Sequence, residues 1–187
     1  MPVSEDEAQS ILLDRIKFKF HCAEKHLNNL RGFEQNNEFF NQSFYIRIRW
    51  EEEVECVLFH LIGVTDALLF RINDKFGFGL LQHQINIKKI TQLLGKQGKG
   101  YLLSELHEAE EGINWLYCLR KLRNIGIHRN FLNVKVSRGI GNSDIREMTS
   151  LRIAPDIPVI VYLEESIRKM GELISSVFKH EPKLKEP

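Results

Sequence analysis

One apolar repeat, between residues 50 and 76, constrains the fold of this chain more than any other feature of its sequence. Apolar residues and one threonine recur there every three or four positions, the spacing of one helix face, at Trp50, Val54, Val57, Leu58, Leu61, Thr65, Leu68, Ile72 and Phe76. The helix is expected to begin between Asn41 and Trp50 and to end at Gly77-Phe78-Gly79. An apolar face of this length must be covered by other helices, so the repeat predicts a helical bundle.

A first helix is predicted upstream of this repeat. Ser4 and Glu7 have the spacing of a capping box, and apolar residues then recur at helical intervals from Leu12 to Leu30. The dipeptide Arg31-Gly32 is typical of a helix end, and residues 33–42 are interpreted as a connection.

Three further helices are expected downstream, with approximate bounds Asn86 to Leu94, Leu102 to Ile127, and Val159 to Phe178. Residues 95–100 contain glycines and lysines but lack the spacing of a phosphate-binding loop, so they are interpreted as a plain connection. The charged residues 179–187 are expected to form a frayed tail.

The segment between the last two helices carries a different pattern. Phe131–Val136 alternates and Leu151–Ala154 is short and apolar, which favours a small irregular insert or hairpin. Pro155 and Pro158 exclude a helix there. The predicted fold is all-α: an up-and-down helical bundle of four to five helices with this insert, forming a single domain over residues 1–187.

Composition indicates an ordinary globular protein in a reducing compartment. Hydrophobic residues make up 43% of the chain and charged residues 27%, both usual values. Cys22, Cys56 and Cys118 are odd in number and far apart, so a cytoplasmic location without disulfides is expected. The acidic N-terminus lacks an apolar signal core, and the apolar run Val57–Phe70 is shorter than the ~20 residues of a membrane span, so no membrane partner is expected.

The motif with the most chemical content is Arg123-Asn124-Ile125-Gly126-Ile127-His128. It lies between Glu111 and Asp144, where the sequence has no Asp or Glu but has the cations Arg120, Lys121, Arg123, Arg129, Lys135 and Arg138. The whole chain has a formal net charge of only +1, so the positive charge is local, as in a phosphate-binding site.

A helical projection indicates which of these residues can act together. Tyr117, Asn124 and His128 fall in a narrow stripe with Arg120 on the same side, and Arg123 lies roughly 140° from His128. The opposite side would pack on other helices through Trp115, Leu119, Leu122 and Ile125. Two interpretations remain open, because cations at a helix C-terminus either stabilise the helix dipole or serve a functional site.

An Arg, a polar residue and then a His near the end of a long helix resemble the signature of the HEPN superfamily (higher eukaryote and prokaryote nucleotide-binding). Arg123, Asn124 and His128 match its commonest form, and that helix also tends to carry residues like Leu119, Leu122 and Arg129. The resemblance implies a bundle of four or five helices, dimerisation through the motif helices and often metal-independent RNA cleavage. Phe131–Pro158 departs from the simplest members, which leaves the subfamily open.

The chemistry of the residues suits the same activity. In metal-free RNA cleavage the 2′-hydroxyl attacks the adjacent phosphate, which requires proton transfers and stabilisation of negative charge. Histidine both gives and takes protons near neutral pH, and arginine offers a planar fork of donors to phosphate. Arg123, His128 and Asn124 are the expected catalytic residues, and the expected substrate-binding residues are Arg120, Lys121, Arg129 and Tyr117. One His per chain is too few for separate acid and base, so a homodimer is expected.

Other residues suggest fewer roles. Cys22 and His26 could share a helix face as metal ligands, but no second pair has suitable spacing, so neither a metal nor a cofactor is expected. Asp66 lies inside the apolar helix, where a carboxylate is costly unless it is paired. It could orient Arg123 or His128, form a structural ion pair or face solvent.

The preferred hypothesis is an endoribonuclease, or a relative that binds RNA or nucleotide without cleaving it. The alternative is a non-catalytic dimeric interaction module in a toxin–antitoxin or phage-defence system, with an antitoxin protein as its partner.

Overall fold

The computed structural model describes residues 14–35, 44–110, 114–129, 134–137, 145–148 and 158–185. Within these ranges the chain forms α1 (Arg15–Gln35), α2 (Phe44–Lys75), α3 (Ile87–Lys96), α4 (Gly100–Glu110), α5 (Trp115–Arg129) and α6 (Val159–His180). Strands β1 (Val134–Ser137) and β2 (Ile145–Met148) pair antiparallel. The predicted all-α helical bundle is confirmed, with six helices in the described residues where four to five were predicted. The two paired strands lie in the segment predicted as an irregular or hairpin insert. The second strand comes earlier than expected, and Leu151–Ala154 lies outside the described residues.

Helices α1 and α2 form an antiparallel pair. Asp14 caps α1, because its Oδ1 accepts hydrogen bonds from the first backbone N–H groups of the helix. The same carboxylate lies 3.6 Å from the Arg71 guanidinium near the end of α2. At the opposite end of the pair, the Arg49 guanidinium lies 5.0 Å from the centre of the Phe33 ring. The predicted capping box at Ser4 and Glu7 lies outside the described residues.

Helix α6 packs against both α1 and α2 and covers the apolar face predicted from the sequence. Thr65 Oγ1 lies 3.9 Å from Sδ of the buried Met170, and the Arg31 guanidinium pairs with Glu164 at 2.8 Å. The apolar repeat of α2 is buried from Trp50 to Ile72, as its spacing predicted. No helix in the described part of the chain is long and apolar enough to cross a membrane.

Two predictions are wrong: the end of the first helix and the frayed tail. Helix α1 continues through Gly32 because Phe33 is buried, and that burial outweighs the ~1 kcal/mol cost of a helical glycine. The expected frayed tail is packed as far as the structure describes it. Residues 182–184 form a 3₁₀ turn that buries Leu184 completely, and Lys183 Nζ lies 3.5 Å from the centre of the Phe76 ring.

The helix predicted from Leu102 to Ile127 is also wrong, since α4 and α5 are separate helices. Asn114 precedes α5 directly: its carbonyl accepts a hydrogen bond from Cys118 N at 3.0 Å, and its side-chain amide donates to the carbonyl of Glu108. Asparagine competes for backbone hydrogen bonds and favours helix starts over helix interiors. The motif helix therefore begins separately, at Trp115.

Candidate functional site

The motif lies on α5, which is anchored by its inner face. Leu116 and Leu119 are completely buried, and Leu122 is nearly so. These residues recur every three positions and fix the rotation of the helix against the core. The backbone remains helical through Arg129, so the motif positions follow one another on a single element.

The outer face of α5 carries three of the predicted site residues. Tyr117 is 42% exposed, and Lys121 and Asn124 are also exposed. They lie three or four residues apart, which places them on one side of the helix. Residues 128 and 129 belong to the same helix, but the side chains of His128 and Arg129 lie outside the described residues.

Arg123 is half-buried and projects on an ideal helix with Leu116 and Leu119 toward the core, beside Asp66 of α2. Burial raises the pKa of Asp66, while the nearby positive charges of Arg123, Arg120 and Lys19 lower it. Asp66 as a whole residue is exposed to solvent, but its carboxyl group is partly shielded from water. Arg123 Nε is buried and has no hydrogen-bond partner among the described residues. The motif arginine thus lies near a carboxylate and has an unused hydrogen-bond donor at Nε.

Arg120 joins α5 to α4 through an ion pair. Its Nη1 lies 2.5 Å from Oε1 of Glu110, the last residue of α4. Burial raises the pKa of Glu110, and Arg120 partly offsets that effect. Glu110 Oε2 is buried and has no hydrogen-bond partner in the described part of the chain. This pair holds the Arg120 side chain toward α4.

The Arg120–Glu110 pair forms part of the wall of an open cleft of about 430 Å³. The cleft is lined by the start of α3, the end of α4 and α5, through Asn86, Ile87, Lys88, Thr91, Gln92, His107, Glu110 and Arg120. Asn86 shapes its α3 side as the helix cap, since its side chain accepts a hydrogen bond from Lys89 N at 2.9 Å. Of these lining residues, the sequence had pointed only to Arg120.

The folded site contains acidic residues that the motif segment of the sequence lacks. The motif region has no acidic residue of its own, but folding brings Asp66 from α2 and Glu110 from α4 against its arginines. Lys121 forms no ion pair within the described residues and keeps its exposed charge. The site therefore alternates positive and negative groups and is not a uniform basic patch.

His26, which the sequence suggested as a metal ligand, is engaged between α1 and α2. Its Nδ1 lies 2.6 Å from Glu53 Oε2, and its ring stacks on His60 with 5.5 Å between ring centres. Among the residues that the structure describes, no three His, Cys, Asp or Glu side chains are grouped as metal ligands.

The fold and the site define an all-α bundle in which the Arg120–Glu110 ion pair borders an open cleft. No protein-family model, curated protein or solved structure matches this chain.

Proposed function

We propose that this protein is a HEPN-like, metal-independent endoribonuclease in which Arg123 binds the scissile phosphate and His128 transfers protons. The observation that carries the proposal is Arg123, half-buried on α5, with an unused Nε donor and Asp66 beside it. An arginine held in this way is a preorganised hydrogen-bond donor for an anion. We assign further RNA contacts to Asn124, Lys121 and Tyr117, which share the exposed side of α5.

The proposed reaction uses only groups of the RNA and side chains of the protein. The 2′-oxygen of the RNA attacks phosphorus as one histidine takes its proton, and the 5′-oxygen leaves with a proton from a second histidine. The products are a 2′,3′-cyclic phosphate and a 5′-hydroxyl. Arg123 donates to the non-bridging oxygens, whose negative charge grows in the transition state.

The need for two histidines makes the active form a two-fold dimer across α5. Exposed aromatic residues support such a contact: Phe59 and Phe70 of α2 are 52% and 41% exposed. Phe59 and Phe70 are eleven residues apart and share one side of α2. Aromatic side chains of this kind are enriched in protein interfaces.

The same exposed aromatic residues favour a second candidate function, a non-catalytic dimer that binds a protein partner such as an antitoxin. In that case Arg123 would serve binding alone. RNA cleavage separates the two candidates.

The test is incubation of the purified protein with labelled single-stranded RNA in EDTA. We expect cleavage by the wild type, none by His128→Ala or Arg123→Ala, and partial activity in Arg123→Lys, because lysine lacks the bidentate fork. Asn124→Ala should be milder. Cleavage by a well-folded His128→Ala variant at the wild-type rate, or a strict requirement for magnesium, would overturn the mechanism.

A further inference from the structure

The cleft between α3, α4 and α5 has the charge of an anion-binding site. Lys88 is exposed at its α3 wall, His107 is exposed at its α4 wall, and Arg120 stands on the α5 wall. Among the described residues that line the cleft, Glu110 is the one carboxylate, and its charge is already paired with Arg120 Nη1. Arg120 has further N–H donors, so it can bind an anion without giving up that pair.

The size and lining of the cleft suit a nucleotide better than a simple ion. A volume of about 430 Å³ is within the range of small-molecule sites and far exceeds the ~30 Å³ of one water. Ile87 contributes apolar surface against which a base can pack. Gln92 is exposed and forms no hydrogen bond within the described residues, so its amide can pair with a base edge.

The cleft lies next to the proposed reaction site. Arg120 lines the cleft and is three residues, about one helical turn, from Arg123 on α5. A strand that places one phosphate at Arg123 can therefore place a neighbouring nucleotide near Arg120.

We propose that the cleft binds a nucleotide of the RNA strand that flanks the cleaved phosphodiester, an inference that rests on the proposed function. Lys88 and Arg120 hold its phosphate, and Gln92 contacts its base. Glu110 positions Arg120 in the wall. The cleft thus extends the RNA contact beyond the motif helix and contributes to the choice of cleavage position.

The test compares Lys88→Gln with Lys89→Gln, two neutralisations at adjacent positions of α3. Of these two lysines, only Lys88 lines the cleft. Both lie in the first turn of α3, where the helix dipole disfavours positive charge, so neither substitution should destabilise the helix. The probe is a single-stranded 2′-O-methyl RNA, which cannot be cut through its 2′-oxygen, so affinity is measured independently of catalysis. Gln92→Ala should alter base preference without changing the salt dependence.

We expect Lys88→Gln to weaken binding about fivefold and to reduce the slope of log affinity against log salt by about 0.7. Lys89→Gln should bind as the wild type does. Equal binding by both variants would overturn the proposal. Free AMP is the second probe: if Lys88→Gln loses AMP but keeps RNA affinity, the cleft serves a free nucleotide and its place on the RNA path is wrong.

The two proposals fail separately. If unmodified RNA is never cleaved but Lys88→Gln still weakens RNA binding relative to Lys89→Gln, the cleft proposal stands and the catalytic proposal falls. If RNA is cleaved in a His128-dependent way while both lysine variants bind normally, the reverse holds.

Discussion

The carboxyl group of Asp66 on α2 lies near Arg123 of α5: burial raises the pKa of this carboxyl group, and the charge of Arg123 partly offsets that effect. The interaction joins the motif helix to the helix whose apolar repeat builds the core. Asp66 is exposed, so water solvates part of a carboxylate that would be costly in this apolar stretch if it were buried and unpaired.

Asp66→Asn tests whether this carboxylate positions Arg123. The change removes the negative charge with little change of shape, so RNA cleavage should fall about tenfold or more, as for a displaced catalytic group. The melting temperature should change little, because the partly desolvated carboxyl group gains little from being charged. The measurement is the single-turnover cleavage rate beside a thermal melt.

Asp74→Asn is the matched control, since Asp74 lies on the same helix and is exposed. It should cleave RNA at the wild-type rate. If Asp66→Asn also does so, Asp66 has no positioning role.

The Arg120–Glu110 pair should stabilise the fold modestly. The two side chains are 37% and 25% exposed, so solvent screening limits their coupling to about 1 kcal/mol. Arg120→Gln should cost more than the double variant Glu110→Gln/Arg120→Gln, because it leaves a partly buried carboxylate unpaired. Urea denaturation of both single variants and the double variant measures the coupling. Strict additivity would show that the pair contributes nothing.

His60 should make the protein sensitive to acid. Burial, with Lys19 and His26 nearby, lowers the pKa of His60 from 6.5 to about 4. Its neutral form is favoured in the folded state, so its contribution to stability is complete above pH 6.5 and is lost as the pH falls toward 4. The free energy of unfolding of His60→Gln should therefore fall less between pH 7 and pH 5 than that of the wild type.

The control for this pH comparison is His83→Gln, which replaces an exposed histidine. It should lose stability with acid just as the wild type does. An unchanged pH dependence in His60→Gln would assign the acid sensitivity to other groups.

Leu184 should anchor the chain end to the bundle. It is completely buried, so Leu184→Ala should lower the free energy of unfolding by about 2–4 kcal/mol. Leu81→Ala offers a matched control, because Leu81 is 61% exposed and its truncation should cost at most about 0.5 kcal/mol. Equal effects in chemical denaturation would show that the tail does not pack as described.

Periodic features were predictable from the sequence, because a helix that covers a core repeats its apolar residues at fixed intervals. The α2 repeat, α3 beginning after Asn86 and α6 beginning at Val159 all follow this rule. Helix ends were less predictable, since a single buried contact can override a local stop signal. Phe33 carries α1 past Gly32, and Leu184 fixes a tail whose composition is charged.

The surroundings of the site depend on contacts that the sequence does not encode locally. Glu110 and Arg120 are ten residues apart, which on one continuous helix would separate them by about 15 Å and exclude an ion pair. The division into two helices, α4 and α5, brings them together in the cleft wall. Asp66 was identifiable as unusual, because its apolar context requires a partner, but the identity of that partner depends on tertiary packing.

The most direct measurement of the central claim is the chemistry of the product ends, with one ribose modified at the mapped cleavage position. We predict that the wild type in EDTA leaves a 2′,3′-cyclic phosphate, or its hydrolysis product, and a 5′-hydroxyl. RNA with a 2′-O-methyl group at that position should stay intact there. Products with a 3′-hydroxyl and a 5′-phosphate, or equal cleavage of the modified RNA, would contradict the assignment of Arg123 and His128 to attack by the 2′-oxygen.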